Sequence, residues 1–160
     1  MKESLRRRAS GGSGLLGPAA FAILATLSFG AAAQEPGVAG YWATGTEGVI
    51  VQIEPCDGSI CGKLVTLRPG GLTEDRYNKD EELQGRPLCN LVILEGFRQE
   101  SPTEWVSGEI YDPESGNTYA ASVTLASADT LDLRGYVGIP LFGRTETWTR
   151  TEAPETPCGG

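Results

Sequence analysis

From Gly40 to Arg150 apolar and polar side chains alternate every second residue, the period of a strand with one buried face. Gly40-Tyr41-Trp42-Ala43-Thr44 forms a short first strand, and Val49, Val51 and Ile53 share one face of the second. Ile60 to Leu67 is the third. Leu91 to Arg98 and Glu104 to Tyr111 make an antiparallel pair across a turn at Gln99 to Thr103. Tyr119, Ala121, Val123 and Leu125 line a sixth strand. Leu131 and Leu133 alternate with Asp132 and Arg134 in a seventh, and Phe142 to Arg150 is the eighth. Turn residues at Asp112-Pro113-Glu114-Ser115-Gly116 and Ser127-Ala128-Asp129 separate them. About eight short strands joined mostly by tight turns predict an all-β, antiparallel up-and-down barrel, whose closure also hides the strand edges.

One segment interrupts the alternation. Residues 68–88 are polar and carry Pro69, Gly70, Gly71 and Pro87. Loops of this length in a compact domain are usually functional or disordered. Asn78 to Leu83 fits one helical turn capped by Asn78 or Asp80. The acids Glu74, Asp75, Asp80, Glu81 and Glu82 match no calcium-loop spacing, because the glycine that such a loop needs is missing. A solvated charged loop, with no metal, is therefore expected.

Composition adds the compartment. Lys2, Arg6, Arg7 and Arg8 precede an apolar stretch from Leu15 to Gly30 and then Ala31-Ala32-Ala33. A basic start, a short apolar run and small residues at the end are the parts of a secretory signal. Cleavage is expected after Ala33, which leaves a lead at 34–39, one barrel domain at 40–150 and a tail at 151–160. The apolar run is short for a membrane span and is broken by Gly17 and Pro18. The arginines hint at twin-arginine export, but the apolar residues expected just after them are absent. Removing residues 1–33 takes acids from 21 to 20 and bases from 13 to 9, so the net charge moves from −8 to −11. Such a surface disfavours nucleic acid, and taken as a whole it also disfavours anionic lipid head groups. The chain has no His, which removes the commonest general base and metal ligand and rules out Ser–His–Asp or Cys–His chemistry within it.

Four Cys follow the signal: Cys56, Cys61, Cys89 and Cys158. An even count in an exported chain reads as disulfides. Asp57-Gly58 is a strong hairpin turn, and a four-residue loop would set Cys56 opposite Cys61. That leaves Cys89 with Cys158, pinning the tail to the body. The C-x4-C spacing and the lack of a helix N-terminus argue against a redox motif.

Several of these segments resemble the domain-of-unknown-function 2147 family of small exported bacterial proteins. They are Gly40-Tyr41-Trp42, Pro55-Cys56 to Leu64, Arg86-Pro87-Leu88, Gly108 to Pro113, Gly116 to Tyr119, Leu131 to Gly138 and Phe142 to Arg150. The resemblance implies a lipocalin (calycin)-type barrel and no established activity. Lipocalins place a G-x-W on the first strand and an Arg of the last strand over that Trp. Gly40-Tyr41-Trp42 matches the first part, and Arg150 or Arg144 would supply the second, a structural closure of the barrel base.

The last strand also points to a site. Phe142, Arg144, Glu146, Trp148 and Arg150 share one face, and Gly143, Thr145, Thr147 and Thr149 share the other. If the Thr face meets solvent, charged groups point inward. Lys63, Tyr111, Arg134, Tyr136, Arg144 and Trp148 are the candidate ligand contacts. No catalytic motif and no cofactor site is present. The expected function is a periplasmic or secreted binding module for a small amphipathic or apolar ligand, lipids included, with residues 68–88 over its mouth. The alternatives are a filled barrel that contacts an envelope protein, and a hydrolase using carboxylates, for which no acid pair stands out.

Overall fold

The structure, a computed structural model, describes residues 37–158. The expected export signal and its expected cleavage site lie outside the described residues. The strands are β1 (Gly40–Ala43), β2 (Ile50–Cys56), β3 (Ser59–Thr66), β4 (Val92–Glu95), β5 (Arg98–Ser101), β6 (Glu104–Asp112), β7 (Asn117–Ser127), β8 (Thr130–Tyr136) and β9 (Arg144–Thr151). They form one antiparallel sheet in the order β4-β3-β2-β1-β9-β8-β7-β6-β5, which closes on itself where β4 also pairs with β6. Two residue pairs make that seam, Leu94 with Ile110 and Glu95 with Glu109. The fold is all-β, a closed antiparallel barrel. Its helical content among the described residues is two 3-10 turns, Glu81–Leu83 and Pro140–Phe142. No described helix is long and apolar enough to cross a membrane.

Nine strands replace the eight expected because the fourth is broken. β4 and β5 flank Gly96-Phe97, both pair with β6, and together they occupy one place in the ring. Gly96 adopts a left-handed φ of 73° at the break. Phe97 is buried, and its ring lies over Gly108, where a Cβ would come within 2.3 Å of it. β5 also extends through Ser101, so the turn is shorter than expected. The last strand starts at Arg144, not Phe142. Phe142 belongs to the 3-10 turn that begins at Pro140, where proline's fixed φ suits the first helical position.

Alternation holds on the regular strands. Val51 and Ile53 of β2, Ala121 and Val123 of β7, and Leu131 and Leu133 of β8 are buried inside the barrel. β6 breaks the rule. Its register with β7 shifts between Trp105 and Gly108, where Ser107 has a φ of 60°. The bulge lets Trp105 and Ile110, of opposite parity, both face the interior.

One end of the barrel is sealed. Trp42 is fully buried, and its indole N–H donates to the Val38 carbonyl at 2.9 Å. The Arg150 guanidinium stacks 4.2 Å from the Trp42 ring. It donates to the carbonyls of Gly37, Ala39 and Ala128 at 2.7, 3.0 and 2.6 Å. Gly40 makes room for it: a Cβ there would lie 2.6 Å from an Arg150 nitrogen.

The two disulfides pair Cys56 with Cys61 and Cys89 with Cys158. The hairpin loop has two residues, not the expected four. Asp57 and Gly58 both take positive φ, as a type I′ turn requires, so Cys56 pairs with Ser59 and Cys61 with Glu54. The bridge therefore runs diagonally across the strands, with the Cα atoms 5.8 Å apart. Cys158 lies against β3, its N–H donating to the Val65 carbonyl. Val65 is buried there, although it lies outside the main core cluster.

Candidate functional site

The other end of the barrel is open, ringed by the β1–β2, β3–β4, β6–β7 and β8–β9 connections. Below it lies a cavity of about 730 Å³. Its wall is apolar where Val51, Leu64, Ile93, Leu133 and Trp148 meet, all of them buried. Its rim is polar, built from Arg68, Asp112, Glu114, Tyr136, Arg144 and Glu146. The Trp148 Nε1–H has no acceptor among the described residues.

Most rim charges are already engaged. Arg68 pairs with Glu114 at 3.0 Å. Glu146 accepts the Gly45 N–H at 2.6 Å, which fixes the β1–β2 loop. Asp112 accepts from the Glu114 N–H and the Ser115 hydroxyl, closing its own turn. Arg144 has no ion pair and no side-chain hydrogen bond among the described residues, and it is exposed at the mouth. It is the rim cation free to meet an anionic group.

Tyr111, Tyr136, Arg144 and Trp148 all line this one cavity. Lys63 and Arg134 do not. Lys63 alternates with the inward Gly62 and Leu64, and its ammonium meets Glu54 at 2.9 Å on the outer surface. Arg134 alternates with Leu133 and clamps the β8–β9 loop from outside. It donates to the Pro140 carbonyl and the Thr145 hydroxyl, both at 2.8 Å. Of the two arginines that could stack on Trp42, Arg150 does so, and Arg144 sits at the opposite end.

Residues 68–88 are not a loose charged loop. They fold back on themselves: Asp75 N–H donates to the Arg86 carbonyl, Gly85 N–H to Asp75, and Leu88 N–H to Thr73. The 3-10 turn is capped by Asp80, whose carboxylate accepts the Glu82 N–H at 3.0 Å. The Tyr77-Asn78 backbone presses on Gly116, where a Cβ would overlap the Tyr77 carbonyl. Gly116 also has a left-handed φ of 68°.

Asp75 is the residue that the sequence reading missed. Its side chain is fully buried, which an unpaired carboxylate would not tolerate. It accepts hydrogen bonds from the Tyr111 hydroxyl, from Asn78 Nδ2 at 2.9 Å and from Arg86 Nε at 2.8 Å. Arg86 also lies over the Tyr111 ring, 5.4 Å from its centroid. Burial alone would raise the Asp75 pKa, but the bonds from Tyr111, Asn78 and Arg86 outweigh it and hold the carboxyl below its ordinary 3.8. Tyr111 moves the other way. Burial first, then the hydrogen bond to the Asp75 charge, pushes its hydroxyl up to about 12. Tyr111 is therefore a neutral donor across the physiological range.

Tyr111 and Ile93 also border a second hollow, of about 630 Å³, under Asn78, Lys79 and Asp80 and outside the short β4–β6 seam. The two residues thus partition the interior from this outer hollow. Among the described residues, no group of acids or cysteines is arranged to hold a metal ion.

No curated protein matches the chain. A solved structure from Helicobacter pylori, described as "Protein HP1028 from the human pathogen Helicobacter pylori belongs to the lipocalin family", superposes with a TM-score of 0.65 at 21% identity. The match covers 71% of this chain and 82% of that one, and it establishes a shared lipocalin-like barrel. The family model described as "Uncharacterized protein conserved in bacteria (DUF2147)" matches residues 40–150, the whole barrel from the Trp42 strand to Arg150. Because that model spans well over half of the chain, this chain belongs to the DUF2147 family.

Proposed function

We propose that the protein is an exported binding module that holds one small amphipathic molecule in its barrel. The observation that carries this reading is the cavity: about 730 Å³ with an apolar wall and a polar rim. Sites of this size and make-up bury the apolar body of a ligand and orient it by a few polar groups. Arg144 is the group best placed to meet an anionic end, with Tyr136 beside it in the rim. Trp148 adds an unsatisfied donor in the wall, and such donors are rare in buried positions. Lys63 and Arg134 are not part of the proposed set, since both point away from the cavity.

Two disulfides support an oxidising compartment, and the N-terminal pattern supports delivery to the periplasm. The hollow interior counts against a filled scaffold. The hydrolase reading gains nothing from Asp75, because its partners are a phenol, an amide and a guanidinium rather than a second carboxylate.

Dansyl-labelled undecanoic acid tests the proposal. Its fluorescence is expected to rise and shift blue on saturable, one-to-one binding. Native mass spectrometry of protein purified from its own host is expected to show a bound small molecule. Absence of both signals would sink the reading.

A further inference from the structure

The segment from Arg134 to Thr145 stands out from the rest of the surface. Its tip holds Val137, Ile139, Leu141 and Phe142, exposed by 73, 52, 75 and 77%. Four large apolar side chains side by side in water mark an interaction surface rather than ordinary scatter. The tip is also held in shape: Arg134 binds the Pro140 and Leu141 carbonyls from behind, so the apolar groups are presented on a fixed turn.

Charge indicates what this surface meets. The chain carries a net −8, yet Arg134 to Thr145 holds two arginines and no acid. Arg134 and Arg144 flank the apolar tip, and Tyr136 stands at its base. Of the carboxylates that share the mouth, Glu114 pairs with Arg68, Glu146 accepts the Gly45 N–H and Asp112 closes its own turn. An apolar tip with aromatic and basic flanks is the composition that settles at a lipid–water boundary. The acidic remainder of the barrel is screened beyond a Debye length of about 10 Å. Val137 and Phe142 border the cavity as well, so the same surface adjoins its entrance.

We propose that the β8–β9 tip docks the open end of the barrel onto an anionic lipid surface, so that an amphipathic molecule passes between bilayer and cavity without crossing water. The docking itself stands on the exposed tip and its charge. The transfer rests on the binding role proposed above.

Co-sedimentation with vesicles of phosphatidylcholine containing about 30% phosphatidylglycerol tests the docking. Ile139 and Leu141 lie outside the cavity lining, so the variant I139S/L141S leaves the binding site intact. The wild type is expected to sediment with these vesicles, and to do so less in high salt or with pure phosphatidylcholine. The variant should bind at least about tenfold more weakly, since it loses two side chains that would enter the interface. Its uptake of dansyl-labelled undecanoic acid in vesicle-free buffer should be unchanged. Three results would overturn the proposal: no sedimentation of the wild type, equal sedimentation of the variant, or wild-type dimers that the variant dissolves. A variant that loses fatty-acid uptake but sediments normally would identify the tip as a lid instead. Failure of the probe alone, with sedimentation intact, would remove the binding role and leave the docking.

Discussion

Replacing Asp75 by Asn keeps the size of the side chain and removes its charge. In the native site Oδ1 accepts from the Tyr111 hydroxyl, and Oδ2 accepts from Asn78 and Arg86 together. An amide offers one oxygen and one NH2 group. The better placement sets the oxygen toward Asn78 and Arg86 and the NH2 toward Tyr111, whose hydroxyl must then accept instead of donate, so its charge-assisted bond is lost. Hydrogen bonds to a charged group contribute about 1.5–3 kcal/mol each, and at least one is lost while the Arg86 bond is weakened. Arg86 is one-third exposed, so water recovers part of its charge and the full penalty of an orphaned buried ion does not apply. The expected loss is about 3 kcal/mol. Urea denaturation followed by Trp fluorescence should show the midpoint falling by roughly 2 M with an unchanged slope. Trypsin should then cut after Arg76 or Lys79, whose side chains are exposed but whose backbone is held in the hydrogen-bonded loop of the wild type. Tyr111→Phe removes one donor and should cost about 1–2 kcal/mol. The double variant should lose less than the sum of the two, because both act in one network. A D75N protein within about 0.5 kcal/mol of the wild type, or strictly additive costs, would refute the view that this carboxylate anchors residues 68–88.

The same network sets a pH window. Asp75 titrates lower in the folded state than its ordinary 3.8, so its contribution is present above about pH 4 and is lost as the pH falls through the folded value; acid unfolding should be shallower in D75N. Tyr111 titrates near 12 when folded against 10.0 ordinarily, so stability should decline again above about pH 10, which alkaline melting curves of wild type and Y111F would compare. Arg144→Gln should weaken binding of dansyl-labelled undecanoic acid by about tenfold with little change in melting temperature, as the side chain is exposed and unpaired; equal affinity would remove Arg144 from the site. Cys158→Ser opens a link between residues 69 apart and should cost about 4 kcal/mol in the chain-entropy account, read from urea midpoints. Gly108→Ala should cost about 1–3 kcal/mol, because the new methyl meets the buried Phe97 ring; a neutral G108A melting curve would count against that packing.

Local rules made much of the barrel readable. A two-residue period over short runs has one stable use, a pleated sheet with one face inside, and the turns between runs fix antiparallel neighbours. Asp57-Gly58 specified its own hairpin and thereby its disulfide, since a type I′ turn needs little beyond two residues that tolerate positive φ. The outward setting of Lys63 and Arg134 was also legible, because each neighbours residues that alternate inward. Tyr136 escapes the same rule: it ends β8, where the chain turns over the mouth and parity no longer fixes its direction.

What remained hidden depends on residues distant in the chain. Asp75 looks like its neighbours Glu74 and Asp80 until Tyr111, 36 residues on, supplies a hydroxyl and Arg86 a guanidinium. Burial of a charge is a property of the surroundings, and no spacing records it. The choice of Arg150 over Arg144 was likewise open until β9 paired with β1 and set Trp42 opposite Arg150. Whether the interior is filled or hollow depends on how eight strands curve together, and on a bulge at Ser107 that sequence alternation does not show. The sequence by itself determined strands, turns and one hairpin disulfide, all of which arise from near neighbours. Only the tertiary structure decided the cavity, its free arginine and the buried carboxylate, because each exists only where separate strands and loops converge.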